Sequence, residues 1–355
     1  MQTSNLRRIV RAAVRCAVSS AAVIALGAFA SSARGADGEA ADFPPGVFTD
    51  GGHYDLHGLR GKVVVLFFFE ESCPRCRGTI PERNKLVQSM KDKPVKFIAV
   101  DPGHGISDAN IYQQETKLIM PVYPDPLRVM EGRWGEHISL QNVYQFKVID
   151  AEGKLAALSL DQIPAVVAKA SWKYKDKGYN PKLNAAIECF EWNQHAAGMK
   201  MLKPLLKDHN KAVADDARKL LAEIKGEVEQ WKADADKMVD DKPVEAYDLY
   251  AHVAAVFPAD ELGKSVEEPI KKLKTNKAVK DEMGARQMFE QVSGVMAKAT
   301  PQQRAAVAQF CRSIVKKYPG TPTAEKASAL ADELAAGSAM VPAEEVPGGR
   351  VALAQ

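Results

Sequence analysis

The stretch that decides the fold reads VVVLFFFEESCPRC and spans residues 63–76. Its first seven residues are valine, leucine or phenylalanine, and such a continuous apolar run is typical of a strand buried on both faces of a sheet. Cys73 comes just after this run, and we expect a helix to begin near Pro74. The sequence therefore predicts a central strand, a short loop and a helix whose N-terminus carries a cysteine.

Outward from this stretch, strand and helix patterns alternate, which predicts a sheet with crossover connections. A turn-rich segment, residues 150–153, is expected to join the last two strands as a hairpin. The further elements predicted are strands at residues 95–100, 122–123, 144–149 and 155–160, and helices at about 108–119 and 162–174.

The cysteines at 73 and 76 form a Cys-x-x-Cys pair at the predicted helix start. The unpaired N–H groups and the positive end of the helix dipole favour the thiolate of Cys73 over its thiol. Cys76 follows one helical turn later, where it can resolve a mixed disulfide. Arg75 adds positive charge nearby. We therefore expect Cys73 and Cys76 to be redox-active.

Two other interpretations of the pair remain open. A structural disulfide this short would remove only about 2 kcal/mol of chain entropy, which is a weak reason to form one. Half of a zinc site would need a second Cys-x-x-Cys or a Cys/His cluster to supply four ligands, and the sequence contains neither. We expect no metal and no cofactor.

The segment from about residue 43 to 174 resembles the thioredoxin-like, TlpA-type family of exported thiol-disulfide oxidoreductases. The resemblance covers a little over a third of the chain. It implies that Cys73 attacks, that Cys76 resolves, and that Pro81 kinks the first helix. The matching features are LHGLRGK at 56–62, CPRC at 73–76, Pro81 five residues beyond the second cysteine, and Val148-Ile149-Asp150 with Gly153 in the hairpin.

Two positions depart from that family. Ser72 stands where family members place a tryptophan, and Tyr144 stands where they place a cis-proline that aligns the substrate strand. The resemblance therefore implies that Pro74, Arg75, Pro81 and Tyr144 shape the site. It also implies that Tyr144 narrows the range of substrates.

The second half of the chain, from Asn180 onward, loses the strand pattern and becomes rich in Ala, Lys, Glu and Leu with helical spacing. Phe257-Pro258 and Tyr318-Pro319 each follow an apolar helix and precede another. This recurrence predicts stacked, weakly tetratricopeptide-like helices. The fold expected is an α/β thioredoxin-like domain at 37–176, followed by an all-α helical-repeat domain at 178–336 and a flexible tail at 337–355.

The N-terminus differs from both halves. Four arginines precede an apolar run at 16–30 and small residues up to Ala33, the order of a secretory signal peptide at 1–33 with cleavage near Ala30 or Ala33. An uncleaved anchor is the alternative, although the run is shorter than a membrane span. We therefore expect a periplasmic or secreted bacterial protein with no membrane span in its mature chain.

Two functions follow from these patterns. The first is an exported thiol-disulfide oxidoreductase that acts on exported protein thiols and disulfides, with a helical domain that docks a protein or peptide partner. The second is a non-catalytic binding or scaffold protein with a degenerate thioredoxin-like module. A net charge of +3 over 355 residues gives no reason to expect a nucleic-acid partner.

Overall fold

The structure, a computed structural model, describes residues 40–337 except 53, 57, 137, 139–144 and 259. The predicted signal peptide and almost all of the predicted tail lie outside the described residues, and so does Tyr144. The described residues form an N-terminal α/β half, residues 40–167, and a helical half, residues 181–337.

A five-stranded sheet organises the α/β half, with β1 at its centre. The strand order is β3-β2-β1-β4-β5, in which β2 and β3 run parallel to β1 while β4 and β5 form an antiparallel hairpin. The strands are β1 (Val63–Phe68), β2 (Val95–Pro102), β3 (Val122–Asp125), β4 (Phe146–Ile149) and β5 (Leu155–Ala156).

Every residue of β1 is buried, as its apolar run predicts. Alternate side chains point to opposite faces of a strand, so β1 contributes to two cores. Val63, Val65 and Phe67 pack in the cluster that contains both Cys73 and Cys76. Val64, Leu66 and Phe68 pack in the cluster on the other face. The cysteines are thereby fixed on one defined face of the sheet.

Among the described residues, four α-helices accompany the sheet: α1 (Pro74–Ser89), α2 (Ile106–Thr116), α3 (Val129–Arg133) and α4 (Ile163–Val167). The prediction of a helix over 162–174 is wrong in length, because α4 is shorter and ends at Val167. Beyond it, the chain is anchored by other contacts. Trp172 Nε1 donates to the Asp92 carbonyl, and the Tyr174 N–H donates to the buried Glu191 carboxylate. These contacts lead the chain from the sheet to the first helices of the helical half.

The helical half contains nine α-helices among its described residues. They are α5 (Asn184–Glu191), α6 (His195–Leu205), α7 (Lys211–Met238), α8 (Pro243–Val256), α9 (Glu261–Lys264), α10 (Glu267–Thr275), α11 (Lys277–Met296), α12 (Arg304–Lys317) and α13 (Pro322–Gly337).

The two aromatic-proline turns share one backbone geometry. Phe257 ends α8 at φ −124° and ψ 58°, and Tyr318 ends α12 at φ −129° and ψ 57°. Each donates its N–H to the carbonyl four residues earlier, Val253 or Ile314. The segments that follow differ, since three α-helices (α9, α10 and α11) lie between the first turn and α12, whereas one described helix (α13) follows the second turn. The turns recur, while a helical repeat remains a prediction.

The helical half packs directly against the α/β half. Leu127 and Val129 lie in one core with residues of α11 to α13. Arg133 donates to both carboxylate oxygens of Glu333, at 2.8 and 2.7 Å. Such a two-point arginine–carboxylate pair also fixes orientation. Within the described residues, no helix is both long enough and apolar enough to cross a membrane.

Candidate functional site

Cys73 lies at the N-terminus of α1, as the sequence predicts. Its backbone is extended, at φ −84° and ψ 113°, and Pro74 is the first helical residue. The Cys73 N–H donates to the Glu70 carbonyl at 3.1 Å, and its carbonyl accepts from the Arg77 N–H at 3.2 Å. Cys73 therefore occupies the N-cap position of α1.

Both thiols are buried. Cys73 is 1% exposed and Cys76 is 0% exposed, and neither is in a disulfide. The two side chains are hydrogen-bonded to each other. Burial raises the pKa of Cys76 to about 11, and the contact with Cys73 adds to the rise, although a hydrogen bond from the Glu70 backbone opposes it. Cys76 therefore keeps its proton at neutral pH.

Two large side chains beneath the pair were not predicted from the sequence. The Arg83 guanidinium lies 4.7 Å from the centre of the Phe67 ring, and its positive charge lowers the pKa of Cys76 against the effect of burial. Tyr112 is 1% exposed, and its hydroxyl has no hydrogen-bond partner in the structure. Burial first, and then the nearby Cys76, raises the pKa of Tyr112. A signal for Arg83 did exist, because Cys76, Ile80 and Arg83 follow the i, i+4, i+7 spacing of one buried helix face.

A second polar cluster lies at the same edge of the sheet and consists of Glu71, Asp101 and His104. His104 Nδ1 is 3.1 Å from Asp101 Oδ1, and His104 Nε2 is 4.0 Å from Glu71 Oε2. The hydrogen bond with Asp101 raises the pKa of His104 to about 9. Burial raises the pKa of Asp101 well above its ordinary value; the hydrogen bond with His104 opposes the rise, and hydrogen bonding and charge repulsion from Glu71 add to it. Among the described residues this is the one group of three or more His, Cys, Asp or Glu side chains with metal-binding proximity.

Residues 39–158 match the sequence profile of the AhpC/TSA family. Together with the strand order and the cysteine pair at the start of α1, this match assigns the fold. The N-terminal half is a thioredoxin-like domain. No curated protein gives a significant match to the chain.

Several solved structures are similar to part of the chain. One is a thiol:disulfide interchange protein of the thioredoxin family from Chlorobium tepidum, with 22% identity, 37% of this chain and 94% of that chain covered, and a TM-score of 0.29. A secreted Mycobacterium tuberculosis disulfide oxidoreductase has 22% identity, 35% and 92% coverage, and a TM-score of 0.28. The thioredoxin domain of a Bacteroides vulgatus thiol-disulfide oxidoreductase has 22% identity, 37% and 94% coverage, and a TM-score of 0.31.

The residues expected to shape the site of the thioredoxin-like domain occupy different positions. Pro74 and Arg75 are exposed at the start of α1. Pro81 lies inside α1, which continues past it to Ser89. Tyr144 lies outside the described residues, so its influence on substrates stays a prediction. The structure thus brings Pro74 and Arg75 next to the cysteine pair and places Pro81 farther along the same helix.

The two remaining cysteines of the described chain lie in the helical half and are not paired. Cys311 is fully buried in the core formed by α11 to α13, where burial raises the pKa of its thiol to about 11. Cys189 is partly exposed, and its sulfur lies 3.8 Å from Met201 Sδ. Neither residue lies at a helix N-terminus, which distinguishes both from Cys73.

The helical half also contacts the loop beside the site. The Ile106 N–H, at the start of α2, donates to the Ala297 carbonyl at 3.2 Å. His104 lies two residues before Ile106. The helices therefore support the thioredoxin-like domain near its site, whereas docking of a further partner on them stays a prediction.

Proposed function

We propose that this protein is an exported thiol-disulfide oxidoreductase that exchanges disulfides with other exported proteins through Cys73 and Cys76. The observation that carries the proposal is the placement of two contacting thiols in the first turn of α1, with Cys73 at the helix N-terminus. The matched AhpC/TSA profile includes both residues.

In the reducing direction, the Cys73 thiolate attacks one sulfur of a substrate disulfide. The substrate S–S bond breaks, one substrate thiolate leaves, and a mixed disulfide with Cys73 forms. Cys76 then loses its proton and attacks the Cys73 sulfur, which releases the second substrate thiolate and forms the Cys73–Cys76 disulfide. The substrate gains two electrons and the protein loses two. A dithiol partner returns the protein to its reduced state, and the oxidising direction is the reverse sequence.

The charges around the two cysteines are consistent with attack by Cys73 and resolution by Cys76. The raised pKa of Cys76, about 11, keeps its proton in place until the mixed disulfide has formed. Arg83 offers a positive charge to the Cys76 thiolate as it develops, because its charge lowers the pKa of that thiol. Cys73 is therefore the nucleophile and Cys76 the resolving thiol.

The burial of Cys73 favours a second candidate, a non-catalytic binding protein that keeps the fold of a redox domain. Because only 1% of its surface is exposed, Cys73 cannot contact a protein disulfide unless the residues that cover it move apart. We expect such opening to make exchange slower than at an exposed thiol of similar reactivity. Slow turnover with a measurable reduction potential fits the enzyme, and no turnover at all fits the binding protein.

The test is capture of a mixed disulfide. A Cys76→Ser variant should accumulate a disulfide between Cys73 and a model disulfide-bonded protein, whereas Cys73→Ser should accumulate none. Cys189→Ser is the matched control, because it removes a partly exposed thiol away from the site, and it should behave as the wild type. Equal trapping by Cys76→Ser and by the wild type, with no turnover in either, would exclude the enzyme.

Export rests on the order of basic, apolar and small residues in 1–33. An oxidising compartment is also where protein disulfides persist as substrates. N-terminal sequencing of the protein recovered from the periplasm should begin after Ala30 or Ala33. Recovery of a chain with an intact Met1 in the cytoplasm would contradict export while leaving the exchange chemistry to its own test.

A further inference from the structure

The cluster of Glu71, Asp101 and His104 is assembled from the loop after β1 and from the end of β2 with the loop that follows it. Glu71 follows β1, while Asp101 and His104 lie at the end of β2 and just beyond it. Strands β1 and β2 are parallel neighbours, with Phe68 opposite Val100, so their carboxyl ends meet at the same edge. One nitrogen or oxygen atom from each of the three side chains lies within 4.8 Å of the other two.

Two carboxylate oxygens in this cluster have no donor. Asp101 is 0% exposed, and its Oδ2 has no hydrogen-bond partner in the structure. Glu71 Oε1 is buried and lacks a partner as well. A buried carboxylate oxygen without a donor is costly, and two of them in one cluster indicate that a positively charged species belongs between them.

The neighbouring cationic side chains are engaged elsewhere. Arg128 pairs with Glu131 at 2.8 Å and lies 3.8 Å from Glu70, and Arg77 pairs with Glu115 at 3.2 Å. His104 is therefore the one basic side chain paired with Glu71 and Asp101 in the described structure. When both acids are ionised, one imidazolium leaves the cluster with a net negative charge.

We propose that Glu71, Asp101 and His104 bind a divalent transition-metal ion of the Zn²⁺ type. One imidazole nitrogen with two carboxylate oxygens is a donor set that Zn²⁺ accepts, whereas Mg²⁺ and Ca²⁺ prefer oxygen ligands alone. Three protein ligands leave a tetrahedral ion one position for water or an external ligand. The sequence did not indicate this site, because Glu71 lies 30 residues before Asp101 and the three residues form no familiar metal-binding motif.

The site adjoins the redox pair through the backbone. Glu71 precedes Cys73 by two residues, and the Cys73 N–H donates to the Glu70 carbonyl. An ion bound to all three side chains would therefore link the segment before Cys73 to the end of β2 and to the loop that follows β2. The proposal does not depend on disulfide exchange, since a binding protein with inactive cysteines could carry the same ion.

The test is titration of Zn²⁺ into the untagged full chain carrying Cys73→Ser and Cys76→Ser, after treatment with EDTA. These two changes remove the thiols that would otherwise bind zinc themselves. Isothermal titration should show one saturable equivalent. Adding Asp101→Asn or His104→Gln to this background should each weaken binding at least tenfold, while Glu82→Gln, which alters an exposed carboxylate on α1, should leave binding unchanged.

Equal melting temperatures of all variants in EDTA show that the ligand changes have not unfolded the protein, and Zn²⁺ should then raise the melting temperature of the background and of Glu82→Gln. His104→Gln provides a second, partly exposed position should Asp101→Asn fail to fold. Absence of saturable Zn²⁺ binding to the Cys73→Ser, Cys76→Ser chain overturns the proposal. A proton shared between the two carboxyl groups then accounts for their unpartnered oxygens. Binding that survives both ligand variants overturns it as well.

Discussion

Each half of the molecule buries a carboxylate, and the two carboxylates differ in how completely they are bonded. In the helical half, Glu282 is 2% exposed and accepts from the Thr323 N–H, the Thr323 hydroxyl and Arg286, at 2.6 to 3.0 Å. By contrast, Asp101 of the thioredoxin-like domain is 0% exposed, and one of its carboxylate oxygens has no hydrogen-bond donor. A fully bonded buried acid stabilises a fold, whereas an incompletely bonded one is available for chemistry or for a ligand.

The histidines show the same contrast. His104 faces carboxylates, and its hydrogen bond with Asp101 raises its pKa to about 9. His195 is 5% exposed at the start of α6 and packs edge-on against Trp231, so burial lowers its pKa to about 4. One ring is held charged and the other neutral. The difference teaches that the neighbours supplied by the fold decide whether a histidine keeps its charge, since His104 lies beside carboxylates and His195 among aromatic rings.

Removal of a fully bonded acid should have the largest effect. Glu191 accepts from the N–H groups of Lys173, Tyr174 and Lys175 and pairs with the buried Lys62 at 3.2 Å. Glu191→Ala leaves that cation buried without its partner, which typically costs about 3–5 kcal/mol. Urea unfolding followed by circular dichroism measures the loss. Glu229→Ala, an exposed control, should change the free energy of unfolding by less than about 0.5 kcal/mol.

The pH dependence of stability should depend on His195. Its pKa is lower in the folded state, about 4, than the ordinary 6.5, so the unfolded chain binds more protons between these values. The stabilising effect of the neutral ring is fully present above pH 6.5 and is lost as the pH falls towards 4, a total of about 3 kcal/mol.

His195→Phe keeps an aromatic ring beside Trp231 and should flatten the decline in stability between pH 6.5 and 4. Burial also lowers the pKa of His252, so a smaller dependence of stability on pH should remain in this variant. Denaturation midpoints at pH 7, 6 and 5 provide the measurement, with the exposed His209→Gln as the control. An unchanged slope in His195→Phe would mean that the decline comes from other groups.

A matched pair of carboxylate-to-amide changes compares the two halves directly. Glu282→Gln should cost about 1.5–3 kcal/mol, because it weakens hydrogen bonds to a charged group. Asp101→Asn, measured in EDTA at pH 7.5, should cost less than about 1 kcal/mol, since the fold already disfavours a charge at this position. Equal losses in the two variants would show that Asp101 is a structural acid after all.

The smallest effect is expected for two tyrosine hydroxyls. The Tyr250 hydroxyl donates to Asp236 Oδ1 at 2.6 Å, so Tyr250→Phe should cost about 0.5–1.5 kcal/mol. The Tyr112 hydroxyl is buried without a partner, and Tyr112→Phe should be neutral or slightly stabilising for that reason. Thermal unfolding of the two variants side by side is sufficient. A loss in Tyr112→Phe would reveal a partner, such as a buried water, for this hydroxyl.

The amino-acid sequence by itself determined the architecture of the protein. A run of seven apolar residues is typical of a strand buried on both faces of a sheet, and β1 is central and fully buried. The start of a helix directly after Cys73, and the change to helical periodicity after Asn180, are also local properties of the chain. Hydrophobic periodicity acts over a few residues, and the sequence displays it directly.

Only the tertiary structure decided how the site is completed. Glu71 and Asp101 meet because two parallel strands end at one edge, and Arg83 reaches the cysteines because one face of α1 is buried. The end of α4 at Val167, and the hydrogen bond from the Tyr174 N–H to Glu191 beyond it, likewise correspond to no local pattern. Burial, unpartnered oxygens and shifted pKa values arise from residues brought together across the fold, so local spacing could not reveal them.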